Sequence, residues 1–157
     1  MMMDTMIIFG AKYLIIISVI IFIWFFIQQP KDKQKQIFVF ALFALPIIYV
    51  VAKLLALAFY DPRPFVAGHF MPLIPHDPDN GFPSDHTLLA SAIAAVVFFY
   101  NKKMGLALFF VALLVGMARI LAGVHHPVDV GGSIIIAIIM SLAVYRFILP
   151  RVAKLKI

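Results

Sequence analysis

Residues 82–100 of the chain read FPSDHTLLASAIAAVVFFY, a polar motif followed directly by an uncharged apolar run. A second polar motif, RILAGVHHPVD at residues 119–129, lies between two further apolar runs. On insertion scales an Arg, Lys or Asp at the centre of a membrane helix costs about 2.5–3.5 kcal/mol, so charged groups persist in such segments where they have a role. The pattern predicts membrane helices that carry functional polar side chains at their ends.

The composition of the whole chain supports this interpretation. Of its 157 residues 64% are hydrophobic, and the mean hydropathy is +1.07. A soluble domain of this length does not hide so much apolar surface, so we expect one membrane-embedded domain over residues 1–157. The absence of cysteine excludes disulfides and thiolate metal sites.

Five apolar segments are visible along the chain, and each is close to the roughly 20 residues that a helix needs to cross the hydrocarbon core. They cover residues 6–27, 37–59, 84–100, 104–123 and 129–148. The predicted fold class is all-α, a polytopic transmembrane helical bundle of about five spans.

The net charge of +6 could indicate a nucleic-acid partner, but the cations lie between apolar segments, which fits anionic membrane lipids and the control of topology better. In a five-span chain nine of them share one side: Lys31, Lys33, Lys35, Lys102, Lys103, Arg146, Arg151, Lys154 and Lys156. The positive-inside rule then predicts a cytoplasmic C-terminus and an N-terminus outside. Both polar motifs fall on the outer side.

The segment at residues 60–83 differs in composition from its neighbours. It contains six of the ten prolines of the chain, together with His69 and His76. Proline disfavours helix here, and a plain connection of this length is unusual. We expect a stiff extracytoplasmic loop over the helix ends, acting as a lid or as the rim of a binding site, and either histidine could touch a pyrophosphate.

The motif at residues 119–129 combines the groups needed for nucleophilic chemistry. His125 precedes a helix that starts near Asp129, whose carboxylate can hold one imidazole nitrogen and leave the other free. Arg119 lies six residues earlier, and Gly123 permits a sharp turn between them. An interfacial histidine and a capping aspartate are the alternative. For His126, the interpretation is a side chain that faces the lipid headgroups.

The motif at residues 83–86 places Ser84 where it can cap the following helix, whose free amides attract an anion. His86 could donate a proton to a leaving oxygen, although a cap without catalysis also explains this motif alone. Arg63 at the end of the second segment suits a phosphoryl group, or a lipid headgroup. Lys53 lies deeper and could reach the same place or extend to the headgroup layer.

The order K…RP, PSDH and R-x3-G-x-H-x3-D resembles the three-part motif of the type 2 phosphatidic acid phosphatase superfamily, which includes acid phosphatases and vanadium haloperoxidases. Within it, the stretches DPRPF, LIPHDPDN and FPSDHT are most similar to bacterial undecaprenyl-diphosphate phosphatases of the bacitracin-resistance type. The resemblance spans residues 53–132.

The resemblance implies a helical fold and a phosphohistidine mechanism without metal or cofactor. It implies His125 as the nucleophile, Asp129 as its orienting partner and His86 as the general acid. The positions implied to bind substrate are Lys53, Arg63, Ser84, Asp85 and Arg119.

Three positions depart from the pattern of the superfamily. Its lysine usually stands seven residues before the arginine, where this chain has Ala56, and Lys53 lies one helical turn earlier. Asp85 replaces a usual glycine, and Ala118 replaces a usual serine, which removes one hydrogen bond to phosphate.

The predicted function is hydrolysis of a polyprenyl diphosphate lipid to the monophosphate at the outer face of a bacterial cytoplasmic membrane, in recycling of the cell-wall lipid carrier. The alternatives are a phosphatidate or phosphatidylglycerophosphate phosphatase on the same scaffold, an anion channel or transporter, and a phosphate-binding protein that has lost catalysis.

Overall fold

The computed structural model describes residues 2–154, with side chains described up to residue 152. The described part is helical, with one isolated β-bridge between Pro62 and Asn80. The helices are α1 (Met2–Ile27), α2 (Lys31–Ala58), α3 (Pro64–Ala67), α4 (Asp85–Phe98), α5 (Lys102–Leu121), α6 (Pro127–Ala143) and α7 (Leu149–Lys154), with a π-helical segment, Val144–Ile148, joining the last two. The all-α prediction is confirmed. Lys156 lies outside the described residues, as does the side chain of Lys154.

Four of the helical stretches are long and apolar enough to cross a membrane: α1, α2, α5, and α6 with its continuation, Pro127–Val152. The third predicted span forms a shorter apolar helix, α4, of 14 residues. At 1.5 Å per residue α4 is about 21 Å long, less than the ~30 Å hydrocarbon core. The five predicted segments therefore all form helices, and the chain is a multi-pass membrane protein.

The short helix α4 lies at the centre of the bundle. It packs against α1, α2, α5 and α6, and ten of its residues are buried. Most of these are alanine, serine or threonine, which allow neighbouring backbones to approach closely. The outer helices instead expose large apolar side chains, such as Leu57 and Phe110, on the surface that would face lipid.

Helix α1 begins at Met2 rather than at residue 6, and three further helices also begin earlier than the apolar runs indicate. Helix α2 starts at Lys31 rather than near residue 37, because its polar first turns consist of good helix formers after Pro30. Helix α5 starts at Lys102, where the side chain of Asn101 accepts a hydrogen bond from the Met104 amide. Helix α6 starts at Pro127, a residue favoured in the first helical turn.

The loop between α2 and α4 is fixed against the helix ends. The Leu73 amide donates to the Ala122 carbonyl at 3.0 Å, and Ile74 is 2% exposed in a cluster with Ala11 and Val124. Gly123 follows with φ of +78°, a conformation that L side chains rarely adopt, so its predicted sharp turn is present. The loop is therefore a defined part of the site and not a loose connection.

Asn80 joins this loop to the C-terminus of α2. Its side-chain amide donates to the carbonyls of Ala56 and Phe59, both at 2.9 Å, which satisfies two carbonyls near the end of that helix. Its side-chain oxygen accepts from the amides of Asp61 and Phe82, both at 3.0 Å. One side chain thus holds the start and the end of the loop against α2.

Candidate active site

His125 and Asp129 form a buried pair at the start of α6. The His125 Nδ1 lies 3.2 Å from the Asp129 Oδ2, and the two side chains are 2% and 0% exposed. Asp129 is in the first turn of α6, and the same Oδ2 accepts from the His126 backbone amide at 2.8 Å. Its carboxylate is therefore held by the local helix geometry, and Nδ1 of His125 is fixed by it.

The other nitrogen of His125, Nε2, faces Arg63. The Arg63 Nη1 lies 3.3 Å from it and donates to the Val124 carbonyl at 2.8 Å. Burial lowers the pKa of His125, the hydrogen bond to Asp129 opposes this shift, and the charges of Arg119 and Arg63 add to it, with a lowered pKa as the net result. The imidazole is thus neutral at neutral pH, which is the form in which an imidazole can act as a nucleophile.

Arg63 is nearly buried at the start of α3, with 5% exposure. Its Nε donates to the Asp79 carboxylate at 2.7 Å, and its Nη2 lies 3.4 Å from the Asn80 carbonyl. The side chain of Asp79 is largely exposed. The guanidinium is therefore held in place by loop residues, and the carboxylate paired with it is exposed to solvent.

Arg119, in the last turn of α5, is 4% exposed. Its Nη1 lies 3.4 Å from the Ala11 carbonyl, and its Nε is buried with no hydrogen-bond partner among the described residues. Buried polar groups are almost always hydrogen-bonded, so the Arg119 guanidinium, which lines a cavity, has donor capacity that an anion there could use.

At the start of α4 the three predicted residues have different surroundings. Ser84 occupies the N-cap position without making a capping hydrogen bond, and its hydroxyl accepts instead from the Thr87 hydroxyl at 3.1 Å. Asp85 pairs with the Lys53 Nζ at 3.1 and 3.2 Å, and both side chains are about half exposed. His86 is partly buried beside them.

One cavity of about 300 Å³ brings most of these groups together. Six of the eight predicted site residues line it: Lys53, Arg63, Asp85, His86, Arg119 and His125. The other two, Ser84 and Asp129, are fully buried and are not part of its lining. The lining also includes His76, Asp79 and Asn80 of the loop, and of these only His76 was predicted to contact a substrate.

A larger cavity of about 500 Å³ lies near the other end of the bundle, between the start of α2 and the π-helical segment. Its described lining contains Lys35, Tyr100 and Tyr145 but no imidazole, carboxylate or guanidinium group. The chemistry-bearing side chains of the two motifs therefore converge only on the smaller cavity within the described part of the chain.

His126 makes a second histidine–aspartate contact beside the first. Its Nδ1 lies 2.9 Å from the Asp61 Oδ2, and Asp61, His126 and Asp129 place potential metal ligands within 4.8 Å of one another. The ligand atoms are already engaged, since Asp129 Oδ2 contacts the His126 amide and His125. We interpret the cluster as a hydrogen-bond network that braces the start of α6, so His126 is not simply directed at lipid headgroups.

Two of the departures from the superfamily pattern meet in this cavity. Lys53, shifted by one helical turn, pairs with Asp85, which stands where the superfamily usually has glycine. Ala56 contributes to the wall at the usual lysine position. The lysine is therefore at the cavity, but its ammonium group is engaged by a carboxylate.

Comparison with known proteins defines the class to which this fold and cavity belong. The sequence profile of the PAP2 superfamily matches residues 36–153, and the chain belongs to that superfamily. The predicted superfamily is confirmed, and with it the prediction of a hydrolase.

Two curated relatives and one solved structure extend this result. The chain is 36% identical to undecaprenyl-diphosphatase BcrC of Bacillus subtilis (strain 168) over 145 residues, 92% of this chain and 75% of that protein. It is 28% identical to bacitracin transport permease protein BcrC of Bacillus licheniformis over 145 residues, 92% of this chain and 71% of that protein. The crystal structure of Aquifex aeolicus LpxE is 27% identical with a TM-score of 0.64, covering 93% of this chain and 87% of that one.

Proposed function

We propose that this chain is a membrane phosphatase that hydrolyses a polyprenyl diphosphate of the undecaprenyl type to the monophosphate and phosphate. The observation that supports it most is the convergence of the buried His125 with Arg63, Arg119 and His86 on one cavity. The name undecaprenyl-diphosphatase carried by a relative at 36% identity supports the choice of substrate. The biological role that follows is recycling of the lipid carrier of cell-wall synthesis.

In the first step, Nε2 of His125 attacks the terminal phosphorus. The bond from that phosphorus to the bridging oxygen breaks, and the lipid monophosphate leaves with the electron pair. His86 is the general acid for a leaving oxygen that needs a proton. The Asp129 carboxylate stabilises the positive charge that develops on the imidazole. Arg63 and Arg119 stabilise the negative charge on the transferred phosphoryl group, the part that guanidinium groups play in phosphoryl transfer.

In the second step, water attacks the phosphorus of the phosphohistidine. His86 accepts a proton from that water and later releases it to solvent, the phosphorus–nitrogen bond breaks, and phosphate is released with neutral His125 regenerated. His86 suits this role because it lines the cavity and its ring makes no hydrogen bond to another of the described residues. The free amides in the first turn of α4 add positive potential on the same side.

The lipid part of the substrate has a place next to the cavity. A groove of about 420 Å³ along α2 shares Lys53, Ala56 and Asn80 with the cavity, and a second of about 220 Å³ between α2 and α4 shares Asp85. Their other lining residues are mainly apolar, including Val50, Leu54, Leu57, Leu88 and Leu89. A prenyl chain could therefore lie against α2 and α4 while the diphosphate occupies the cavity.

The proposed orientation places this cavity at the extracytoplasmic face of a bacterial cytoplasmic membrane, with the N-terminus outside. The first turns of α2 and α5, next to the α1–α2 and α4–α5 connections, carry Lys31, Lys33, Lys35, Lys102 and Lys103, and short connections make successive helices antiparallel. These lysines then share the bundle end opposite the cavity, as the positive-inside rule requires.

Activity is expected to persist when divalent cations are removed. The positive charge at the reacting phosphoryl group is supplied by Arg63 and Arg119, so purified protein in detergent with EDTA should release phosphate from a C55-type diphosphate at close to its untreated rate. Phosphatidate, assayed in parallel, distinguishes the phosphatidate phosphatase alternative. Loss of activity on chelation that a divalent cation restores would contradict the mechanism, and release from phosphatidate alone would contradict the substrate.

Transport is a second candidate function, because one relative is named a bacitracin transport permease protein. It predicts movement of an anion or of bacitracin across liposomes that contain the protein, without release of phosphate. The buried His125–Asp129 pair has no evident role in such a process. Phosphate release and flux measured on the same proteoliposomes separate the two functions.

The pH dependence of kcat/KM should report the protonation of His125. A nucleophilic imidazole works in its neutral form, so activity falls as the pH drops through its pKa, and the lowered pKa puts this acid limb below the ordinary value of 6.5. Asp129→Asn removes a contact that raises this pKa, so the residual activity of the variant should have its acid limb at still lower pH.

Ionisation of the substrate also contributes to this profile, but it is identical for both enzymes. The difference between the wild type and Asp129→Asn therefore isolates the imidazole. A limb that stays in place, or moves to higher pH in the variant, would contradict the proposed coupling of Asp129 to His125.

A further inference from the structure

His76 is the third imidazole of the cavity, and the mechanism described so far gives it no role. It lies in the loop between α2 and α4, and its ring centroid is 6.0 Å from that of His125, with the ring planes at 79°. It lines the cavity together with Arg63, Arg119 and His86. Its position is therefore beside the attacking imidazole and not on the outer surface of the loop.

The polar atoms of His76 are less committed than those of the neighbouring histidines. His125 contacts Asp129, and His126 contacts Asp61, so both have a carboxylate partner. His76 has none, and its Nδ1 is buried without a hydrogen-bond partner among the described residues. A histidine kept for packing alone does not account for a polar ring in this position.

The backbone that carries His76 is fixed in place. The Leu73 amide donates to the Ala122 carbonyl at 3.0 Å, and Ile74 is buried against Ala11 and Val124. Val124 is also the residue whose carbonyl accepts from Arg63. The loop thus sets His76 and Arg63 against the same short segment that carries His125, without need for rearrangement.

We propose that His76 is a further phosphoryl-binding residue, which donates an imidazole N–H to an oxygen of the group that His125 attacks. The proposal rests on the function proposed above. A transferred phosphoryl group has three non-bridging oxygens. Arg63 and His76 supply donors from the loop between α2 and α4, and Arg119 supplies donors from α5. The lysine near the cavity is engaged by Asp85, and Ala56 has no donor, which leaves a place for a third group.

The ring is in the right protonation state for this contact. Burial lowers the pKa of His76, the charges of Arg63 and Arg119 lower it further, and a backbone contact with Asp77 opposes this shift, with a lowered pKa as the net result. At neutral pH the imidazole is therefore neutral, with one N–H donor and one acceptor. It can donate to a phosphoryl oxygen without adding a further positive charge beside Arg63 and Arg119.

Orthovanadate, which adopts the five-coordinate geometry of phosphoryl transfer, is the probe that tests this contact. The inhibition constant and the vanadate-induced rise in Tm are measured on full-length protein in detergent for the wild type, His76→Phe, His76→Asn and His76→Gln. Phenylalanine keeps a ring beside His125 but has no donor, whereas the two amides place an N–H near one or the other ring nitrogen. His69→Asn is the matched control, because His69 is exposed in the same loop and asparagine tolerates its φ of 50°.

We expect His76→Phe to weaken vanadate binding about 10- to 100-fold, the usual effect of one hydrogen bond to a charged group, with a smaller rise in Tm. At least one of the amide variants should recover most of the loss, and His69→Asn should match the wild type. Unchanged vanadate affinity in His76→Phe, or a loss that neither amide variant restores, would overturn the proposal.

The two proposals fail in different ways. If the wild type binds vanadate but releases no phosphate from lipid diphosphate, the proposed function is wrong, and the vanadate series still decides the role of His76. If the wild type is active and His76→Phe binds vanadate normally, only the role of His76 is wrong.

Discussion

Replacing His125 with alanine is expected to abolish phosphate release from both lipid diphosphate and phosphatidate, with a loss on the order of 10⁴-fold or more. The reason is that no other imidazole of the cavity has an orienting carboxylate like Asp129, which lies 3.2 Å from His125 Nδ1. The measurement is phosphate release from purified protein in detergent, with each substrate at saturating concentration.

The control for this substitution is His69→Asn, which also removes an imidazole but at an exposed position outside the cavity. Both variants should unfold at Tm values close to that of the wild type, which shows that they are folded. Substantial activity in folded His125→Ala would show that another group attacks the phosphorus, and it would remove the basis for the roles given to Arg63 and Asp129.

The second large effect is expected from His86→Ala, and it should depend on the leaving group. Phosphatidate loses an alkoxide, which needs a proton, so kcat/KM should fall about 10²- to 10⁴-fold, the usual contribution of general acid catalysis. The leaving group of a lipid diphosphate is itself a phosphate, with a second pKa near 6, and needs little protonation. With the lipid diphosphate as substrate, kcat/KM should fall by no more than about tenfold.

The choice of kcat/KM matters because it reports the steps up to formation of the phosphoenzyme, in which the leaving group departs. The later attack of water is the same for both substrates and affects kcat. His86→Gln, which keeps a polar side chain of similar reach but cannot transfer a proton, should behave like His86→Ala. Equal losses in kcat/KM on the two substrates would exclude His86 as the general acid.

The helices were predictable because a long apolar segment is enough to indicate a membrane helix. The residues at which each helix begins were not predictable in this way. The apolar runs missed the polar first turns at Lys31 and Lys102, where helix propensity and an asparagine cap extend the helix beyond the lipid-like sequence. The third segment was correctly identified as a helix, but its position at the centre of the bundle was not predicted. Burial on all sides by four other helices is a property of packing that the sequence of α4 does not carry by itself.

Contacts in the site between residues close in sequence could be predicted from their spacing, whereas contacts between residues far apart in sequence could not. The contact of His125 with Asp129 spans four residues and follows from the start of a helix. The contacts of Lys53 with Asp85 and of His126 with Asp61 span 32 and 65 residues and depend on how the elements pack. The composition of the loop marked it as unusual, but the way in which Asn80 fastens it to α2 could not be deduced from that composition.

Ser84 shows the limit of a cap prediction. Its position before α4 was correctly deduced, yet its hydroxyl is turned towards Thr87 within the protein and is not at the cavity. The hydrogen bond of Ser133 to the Ser84 carbonyl, at 3.0 Å, ties this turn to α6. Packing between helices therefore decides where such a side chain points, and any contribution of this turn to phosphate binding would come from backbone amides.

The measurement that tests the central claim most directly is the trapping of the covalent intermediate. Wild-type protein is mixed with lipid diphosphate labelled at the terminal phosphorus, quenched within a single turnover, and digested for mass spectrometry. We predict a label on the peptide that contains His125, stable to base and labile to acid, as expected of a phosphohistidine, and absent from His125→Ala. Turnover by the wild type with no such label, or a label that persists in His125→Ala, would contradict the account.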